Sequence, residues 1–304
     1  MLRLVVLFLT VPLFAAVMAA QQQSNYPPTM PGAEVETYKT AGDVEMRVWI
    51  FKPDGHSAAD RRPAIILFFG GGFRSGTPQQ FLHQGKYLAS RGMVAVAADY
   101  RVSTRHGVKA VSCVEDARDA MRWLRANAAR LGVDPKRVAA GGGSAGGYLA
   151  AALATLPDPG PRDGSAGVSS VPDALVLYNP GLVIARIPGQ AVVTPERAAG
   201  YRERFGAEPE DYSPYHHVKK GQAPAIVFHG KADTTVPYAT AEAFCKEYER
   251  VGNRCELVGY DGAVHGFFNY GRDGGHAYYD TVRRTDVFLE SLGWLEGAPA
   301  IQEP

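Results

Sequence analysis

The chain of 304 residues is short of cysteine, with three (Cys113, Cys245 and Cys255), and carries almost no excess charge, 32 Lys and Arg against 31 Asp and Glu. So few cysteines exclude a scaffold built from disulfides. The even charge balance argues against a nucleic acid or an anionic membrane surface as partner. No internal repeat is present. Metal-ligand spacing is also missing: His216 and His217 stand side by side in SPYHHV with no third ligand at zinc spacing, so no metal or cofactor is expected. The long apolar stretch at the N-terminus is broken by Thr10 and Pro12. It falls short of the ~20 apolar residues that a membrane-spanning helix needs.

That stretch has the order of an export signal. Arg3 gives a positive start, Leu4 to Val11 is almost wholly apolar, and Ala15 to Ala20 is rich in small residues. Residues 1–20 are therefore expected to be a secretory signal cleaved after Ala19 or Ala20, with a membrane anchor as the competing reading. The protein is then secreted or periplasmic, and no cysteine follows the run to suggest a lipid attachment. Residues 21–32 read as a polar tether, 33–296 as one catalytic domain and 297–304 as a fraying tail. A mature chain of about 280 residues suits a single large α/β domain with a substantial core. Export also permits a bridge. Cys245 lies on a predicted helix and Cys255 opens the next predicted strand, so the two could meet and leave Cys113 free. The alternative is three buried thiols acting as small hydrophobes.

After the tether, β-type runs alternate with helical stretches. Val44 to Phe51 (VEMRVWIF) alternates with period two. Ala64–Phe69, Met93–Ala98, Ala174–Tyr178, Ala225–Phe228 and Cys255–Tyr260 are mainly apolar runs, as in strands buried on both faces. Between them, 114–131 carries Ala117, Met121, Leu124 and Ala128 on one face, and 240–251 and 278–292 are similarly amphipathic. Such alternation predicts an α/β fold with a mostly parallel central sheet covered by helices on both faces. One interruption, 180–222, is long and rich in Pro, Gly and charge, as expected for a pocket-forming insertion with helix of its own.

Ser144 stands alone among glycines in GGGSAGG, directly after a predicted strand at Arg137–Ala140 and before a helical run at Tyr148–Leu156. Gly142–Gly146 fits G-x-S-x-G in the strand-to-helix context that the motif requires. Small neighbours leave room for a serine held in a sharp, strained turn. The helix that follows points its N-terminal N–H groups at the same place. A dinucleotide loop is the rival, but it needs an acidic residue about 20 positions on, after the next strand. Asp158 and Asp163 lie in a Pro/Gly loop instead.

A serine hydroxyl needs a base, and the base needs an orienting acid. Asp233 in HGKADTTVP follows one predicted strand, and His265 in YDGAVHGFFN follows the next. The order Ser, Asp, His at successive strand ends makes Ser144 the nucleophile, His265 the base and Asp233 the acid. Asp261, four residues before His265, is the rival acid and more suited to shaping that turn. His229 is expected to pack beside the Asp loop, and His56, His83, His106 and His276 carry no usable context. Gly70–Gly72 follows the first buried strand, where an oxyanion loop belongs. The expected donors are the N–H groups of Gly71, Gly72 and Ala145.

Together GGGSAGG, the GGG loop, ADYR at Ala98–Arg101, the segment from Asp116 to Pro135, HGKADTTVP and HGFFN resemble the α/β-hydrolase superfamily. Within it they are similar to carboxylesterases of the hormone-sensitive-lipase type, close to secreted bacterial acetyl and feruloyl esterases. The resemblance spans about 64–294. It implies a serine esterase acting on a small ester or acylated carbohydrate, with oligomeric state unspecified. One departure is Phe69, which stands where that family has a loop-anchoring His. Another is the short N-terminus, which implies a small cap and an accessible site, with 180–222 supplying most of the pocket wall. Two other readings share the pattern. A prolyl-oligopeptidase-type peptidase has the HG…D…VP arrangement but usually brings a propeller domain. Non-catalytic binding proteins of this fold typically lack a triad member, and this chain keeps all three.

Overall fold

The computed structural model describes residues 26–160 and 167–303. The expected signal, part of the tether and Asp163 lie outside the described residues. Strands β1 (Glu34–Ala41), β2 (Val44–Phe51), β3 (Arg62–Phe68), β4 (Val94–Ala98), β5 (Val133–Gly143), β6 (Ala174–Tyr178), β7 (Ala225–Gly230) and β8 (Cys255–Tyr260) form one sheet. Their order is β1-β2-β4-β3-β5-β6-β7-β8. β1 and β2 pair antiparallel and β2 pairs antiparallel with β4; every other neighbour is parallel.

Among the described residues there are six longer helices, α1 (Leu82–Ser90), α2 (Ala110–Ala126), α3 (Ala145–Thr155), α4 (Pro195–Phe205), α5 (Tyr238–Arg250) and α6 (His276–Ser291), of which all but α4 cover the sheet. Side-chain alternation along the strands sorts the core into two layers. Ile66 and Phe68 of β3 pack with Met121 and Leu124 of α2, Leu149 of α3 and Phe244 of α5. Ile65 and Leu67, one residue out of phase, pack with Leu88 of α1 and Phe288 and Leu289 of α6. Each fully buried side chain of this size contributes about 1.5–3 kcal/mol relative to exposure.

Two elements carry weak sequence signals. The edge strand β1 is polar and half exposed (EVETYKTA), with a register shift between Thr37 and Lys39, so apolar patterning is slight. Helix α1 has Gly85 in its interior, where a Cβ would come within 2.8 Å of the Phe51 ring. Close approach to β2 requires glycine there despite its low helix propensity. Helix α2 begins and ends earlier than the expected 114–131. It stops at Ala126, where Asn127 Nδ2 donates to the Trp123 carbonyl and the chain turns toward Gly132 in the left-handed region.

The insertion at 180–222 holds α4 and two shorter turns, Pro209–Tyr212 and Pro214–His217. Thr194 caps α4 by accepting from Arg197 N, Pro195 opens it, and Gly206 closes it in the left-handed region. The chain is held where the C-terminal segment begins. Arg91 Nη2 donates to the carbonyls of Glu296 and Gly297 at 2.9 and 2.8 Å, and the same guanidinium holds buried Asp286 of α6. Cys245 of α5 and Cys255 of β8 are joined in a disulfide, Cα to Cα 5.4 Å, and Cys113 is free and buried. Because Cys255 starts a parallel strand, the bridge sits at the edge of the sheet opposite the strand ends that carry Ser144, Asp233 and His265.

Candidate active site

The turn between β5 and α3 holds Ser144 at φ 53°, ψ −113°, a strained conformation for a residue with a Cβ. Its surroundings enforce the turn. Ser144 N donates to Tyr178 O at 2.8 Å, and Tyr148 N donates back to Ser144 O at 2.9 Å. A Cβ on Gly142 would meet Phe68 O at 2.5 Å, and one on Gly146 would meet the same oxygen at 1.8 Å. The motif glycines are therefore fixed by the approach of β3 and α3. All eleven residues of α3 are buried, which presses its N-terminus against the serine.

His265, after β8, lies with Nε2 2.9 Å from Ser144 Oγ. Its Nδ1 is 2.6 Å from Asp233 Oδ2, after β7. A carboxylate can only accept, so Nδ1 donates to Asp233 and Nε2 is left to accept from the serine hydroxyl. Asp233 Oδ1 accepts from Thr235 N and Val236 N, each at 2.9 Å. Burial alone would raise the Asp233 pKa. Hydrogen bonding from His229, from His265 and from Val236 N–H outweighs that penalty and holds the carboxyl well below the usual aspartate range. His229 is fully buried; its Nε2 donates to Val236 O at 2.8 Å and lies 3.5 Å from Asp233 Oδ2. It thus braces the Asp loop from behind.

The glycine loop after β3 faces the same space. Gly71 and Gly72 have φ of +126° and +63°, and a Cβ on Gly71 would lie 2.0 Å from Ser75 O. Gly71 O accepts from Arg74 N and Ser75 N. Gly71, Gly72, Ser144, Ala145 and His265 line one cavity of about 410 Å³. Phe69 anchors the loop by stacking on Tyr100, ring centroids 4.1 Å apart, while Tyr100 Oη donates to Phe69 O at 2.7 Å.

Three polar residues that the sequence reading leaves out tie the loops together. Gly70 N donates to Gln80 Oε1 at 2.6 Å, and Gln80 Nε2 donates to Asn269 Oδ1 at 2.9 Å. Asn269 Nδ2 in turn donates to Gly266 O at 2.8 Å. Asn179, at φ 36°, accepts from Gly266 N at 2.9 Å, which fixes the residue after His265. Asn269 closes the HGFFN motif, so its signal is in the sequence. Gln80 has no motif around it.

The insertion contributes one wall rather than most of the pocket. Gly181, Ile184, Tyr201 and Arg204 line the cavity, and the rest comes from the glycine loop, the Ser144 turn and the loops after β6, β7 and β8. The reason is packing: Phe205 of α4 is buried edge-on against Phe73 and Tyr148, each with centroids 5.3 Å apart, which seats the insertion on the body. The remaining candidates lie elsewhere. Asp261 is exposed and pairs with Lys231 at 2.8 Å. His216 and His217 each turn Nε2 to a backbone carbonyl, of Arg186 and Glu210. Among the described residues, no helix is long and apolar enough to cross a membrane.

Comparison with known proteins gives a consistent picture. Residues 65–269 match the family described as the alpha/beta hydrolase fold. Esterase LipC of Mycobacterium tuberculosis is 32% identical over 226 residues, covering 68% of this chain and 54% of that protein. Carboxylesterase NlhH of the same species is 30% identical over 141 residues, covering 45% and 42%. The chain thus spans about half the length of the curated relatives it matches. Among solved structures, a thermophilic esterase of Thermogutta terrifontis with propionate bound is 48% identical at a TM-score of 0.85, covering 90% of this chain and 98% of that one. The esterase 2 of that organism phosphonylated by sarin superposes with a TM-score of 0.86 at 48% identity, covering 90% and 99%.

Proposed function

The chain belongs to the α/β-hydrolase fold family, among the carboxylesterases similar to hormone-sensitive lipase, and from that premise we propose that it is a serine carboxylesterase. The observation that carries the reading is the chain Ser144–His265–Asp233, with links of 2.9 and 2.6 Å at the wall of a cavity. In the proposed reaction Ser144 Oγ attacks the ester carbonyl as His265 Nε2 takes its proton. Asp233 holds the imidazole and offsets the charge it gains. The oxyanion is met by the N–H groups of Gly71, Gly72 and Ala145. His265 returns the proton to the leaving alcohol, and water then cleaves the acyl-enzyme by the same route.

The substrate we propose is an acetyl, other short-acyl or hydroxycinnamoyl ester on carbohydrate, met outside the cytoplasm. The export-like order of residues 1–20 supports the location, and the single-wall insertion supports an approachable site. The Thermogutta relative bound to propionate supports a short acyl group. LipC, NlhH and the Thermogutta protein are esterases, which favours ester over peptide hydrolysis. The full chain should be assayed side by side on acetylated xylan, feruloylated arabinoxylan, p-nitrophenyl acetate and a proline-anilide peptide. Release of acid from the esters, lost in Ser144→Ala, is expected. Turnover of the anilide alone would replace the reading with a peptidase.

A further inference from the structure

We propose that the cavity beside Ser144 takes an ester that itself carries a carboxylate, held by Arg204 and Arg272. This rests on the esterase reading and narrows its substrate class. Among the described residues lining the cavity, the only permanent cations are these two arginines, and no Asp or Glu is present. They stand on two different elements of the site, helix α4 and the segment after β8. Arg204, on α4, places Nη1 3.8 Å from the position a Cβ would take on Gly72, beside the expected oxyanion donors. Arg272 places Nη1 3.0 Å from the Cβ position of Gly266, the residue after His265.

Neither guanidinium is committed to a strong partner. Arg204 lies over the Tyr201 ring, 5.7 Å from its centroid, and makes no ion pair among the described residues. Its neighbours on the same helix are engaged: Arg202 with Glu208 at 2.6 Å, Arg197 with the Thr235 carbonyl at 2.6 Å. Arg272 meets Asp273 at 3.6 Å, and that carboxylate is 76% exposed. The buried carboxylate of the site, Asp233, is turned away and satisfied by His265, Thr235 N and Val236 N. With two cations and no acid in its lining, the cavity presents positive charge to a ligand, and charge interactions are stronger between low-dielectric walls than in open water. Guanidinium groups pair with planar carboxylates through two parallel hydrogen bonds. One exposed arginine would say little; two from separate elements around one nucleophile define a charge preference.

The carboxylate can sit on the alcohol, as in a uronic acid or a hydroxybenzoate, or on the acyl group, as in a dicarboxylic half-ester. Two pairs of esters separate these sources: 4-acetoxybenzoate against its methyl ester, and mono-4-nitrophenyl succinate against 4-nitrophenyl butyrate. For each pair kcat/KM is measured with the full chain, and the charged-to-neutral ratio is taken within one preparation, so incomplete folding cancels. The expected ratio is about three to ten in one pair, as two partly exposed ion pairs would give. It should fall toward one in the double variant Arg204→Gln, Arg272→Gln and in high salt. A ratio of one or less in both pairs, or a ratio unchanged by the double variant, overturns the proposal. Failure of wild type on all four esters overturns the esterase reading itself, a different result from equal rates on charged and neutral esters.

Discussion

Gln80 Nε2 donates to Asn269 Oδ1 at 2.9 Å across 189 positions of sequence, joining the glycine loop beside Ser144 to the loop that carries His265. The same amide accepts from Gly70 N through Oε1. One side chain therefore helps to set the distance between the expected oxyanion donors and the base. Gln80→Leu removes both bonds, and a shift near 1 Å in such a site costs on the order of 10²-fold in rate. We expect kcat on p-nitrophenyl acetate to fall by about 10–100-fold with a smaller change in KM. Gln80→Glu keeps an acceptor for Gly70 N and should recover part of kcat. An unchanged kcat in Gln80→Leu would show that the bridge is dispensable.

Asp233→Asn keeps the shape of the acid but reverses its hydrogen bonding. The amide can donate to His265 Nδ1, which favours the wrong tautomer, and a loss of about 10⁴ in kcat is expected. Stability follows the sign of the pKa shift. Because the folded-state pKa is depressed, the carboxylate stabilises the fold at pH above its unfolded value, near 3.9, and that contribution is lost as pH falls through the folded value. Chemical denaturation from pH 3 to 8 should give a gap between wild type and variant that is constant from pH 5 to 8 and shrinks below about 4. A gap that instead widens in acid would contradict the assignment.

Asp99 should behave in the opposite sense. Burial raises its carboxyl to about 7, against the opposing pull of Arg105 and of the Tyr100 N–H. The folded protein then keeps a proton that the unfolded chain releases above about pH 4. Stability contributed through Asp99 is highest below that pH and declines as pH rises toward 7. Asp99→Asn should flatten the wild-type slope across this window in guanidinium titrations. Identical slopes would mean that Asp99 is ionised throughout.

Much of this arrangement was legible in the sequence because the site sits at strand ends. Asp233 and His265 each follow a mainly apolar run, Ser144 follows the glycine-ended strand β5, and β5, β7 and β8 deliver all three to the C-terminal ends of the parallel strands. The glycines around Ser144 were readable as a sharp turn, and the approach of Phe68 O gives their cause. What stayed hidden depends on contacts between distant segments. Gln80 is an isolated amide until Asn269 is folded beside it. Helix α1 contains the glycine that Phe51 demands, and β1 is a polar edge strand with little pattern to read. Nothing local shows that Arg91 holds the carbonyls of Glu296 and Gly297.

The cysteines should divide cleanly by reactivity. The Cys245–Cys255 bridge closes a loop of ten residues, for which chain entropy gives about 2–3 kcal/mol. Reduction, or Cys245→Ala with Cys255→Ala, should lower Tm by roughly 5–10 °C. Cys113 is buried, and burial with Asp116 nearby pushes its thiol up to about 12. Maleimide should therefore label no cysteine in the native oxidised protein and one after unfolding without reductant. Labelling of two or three under those conditions would exclude the bridge.

The nucleophile can be identified by trapping it. The full chain is incubated with a fluorophosphonate, digested, and mapped by mass spectrometry alongside the decay of p-nitrophenyl acetate hydrolysis. The account predicts one adduct, on the peptide carrying Ser144, at a stoichiometry that matches the loss of activity. It also predicts neither adduct nor activity in Ser144→Ala, and slow labelling in His265→Ala. Inactivation with the adduct on another residue, or activity surviving full modification of Ser144, would contradict it.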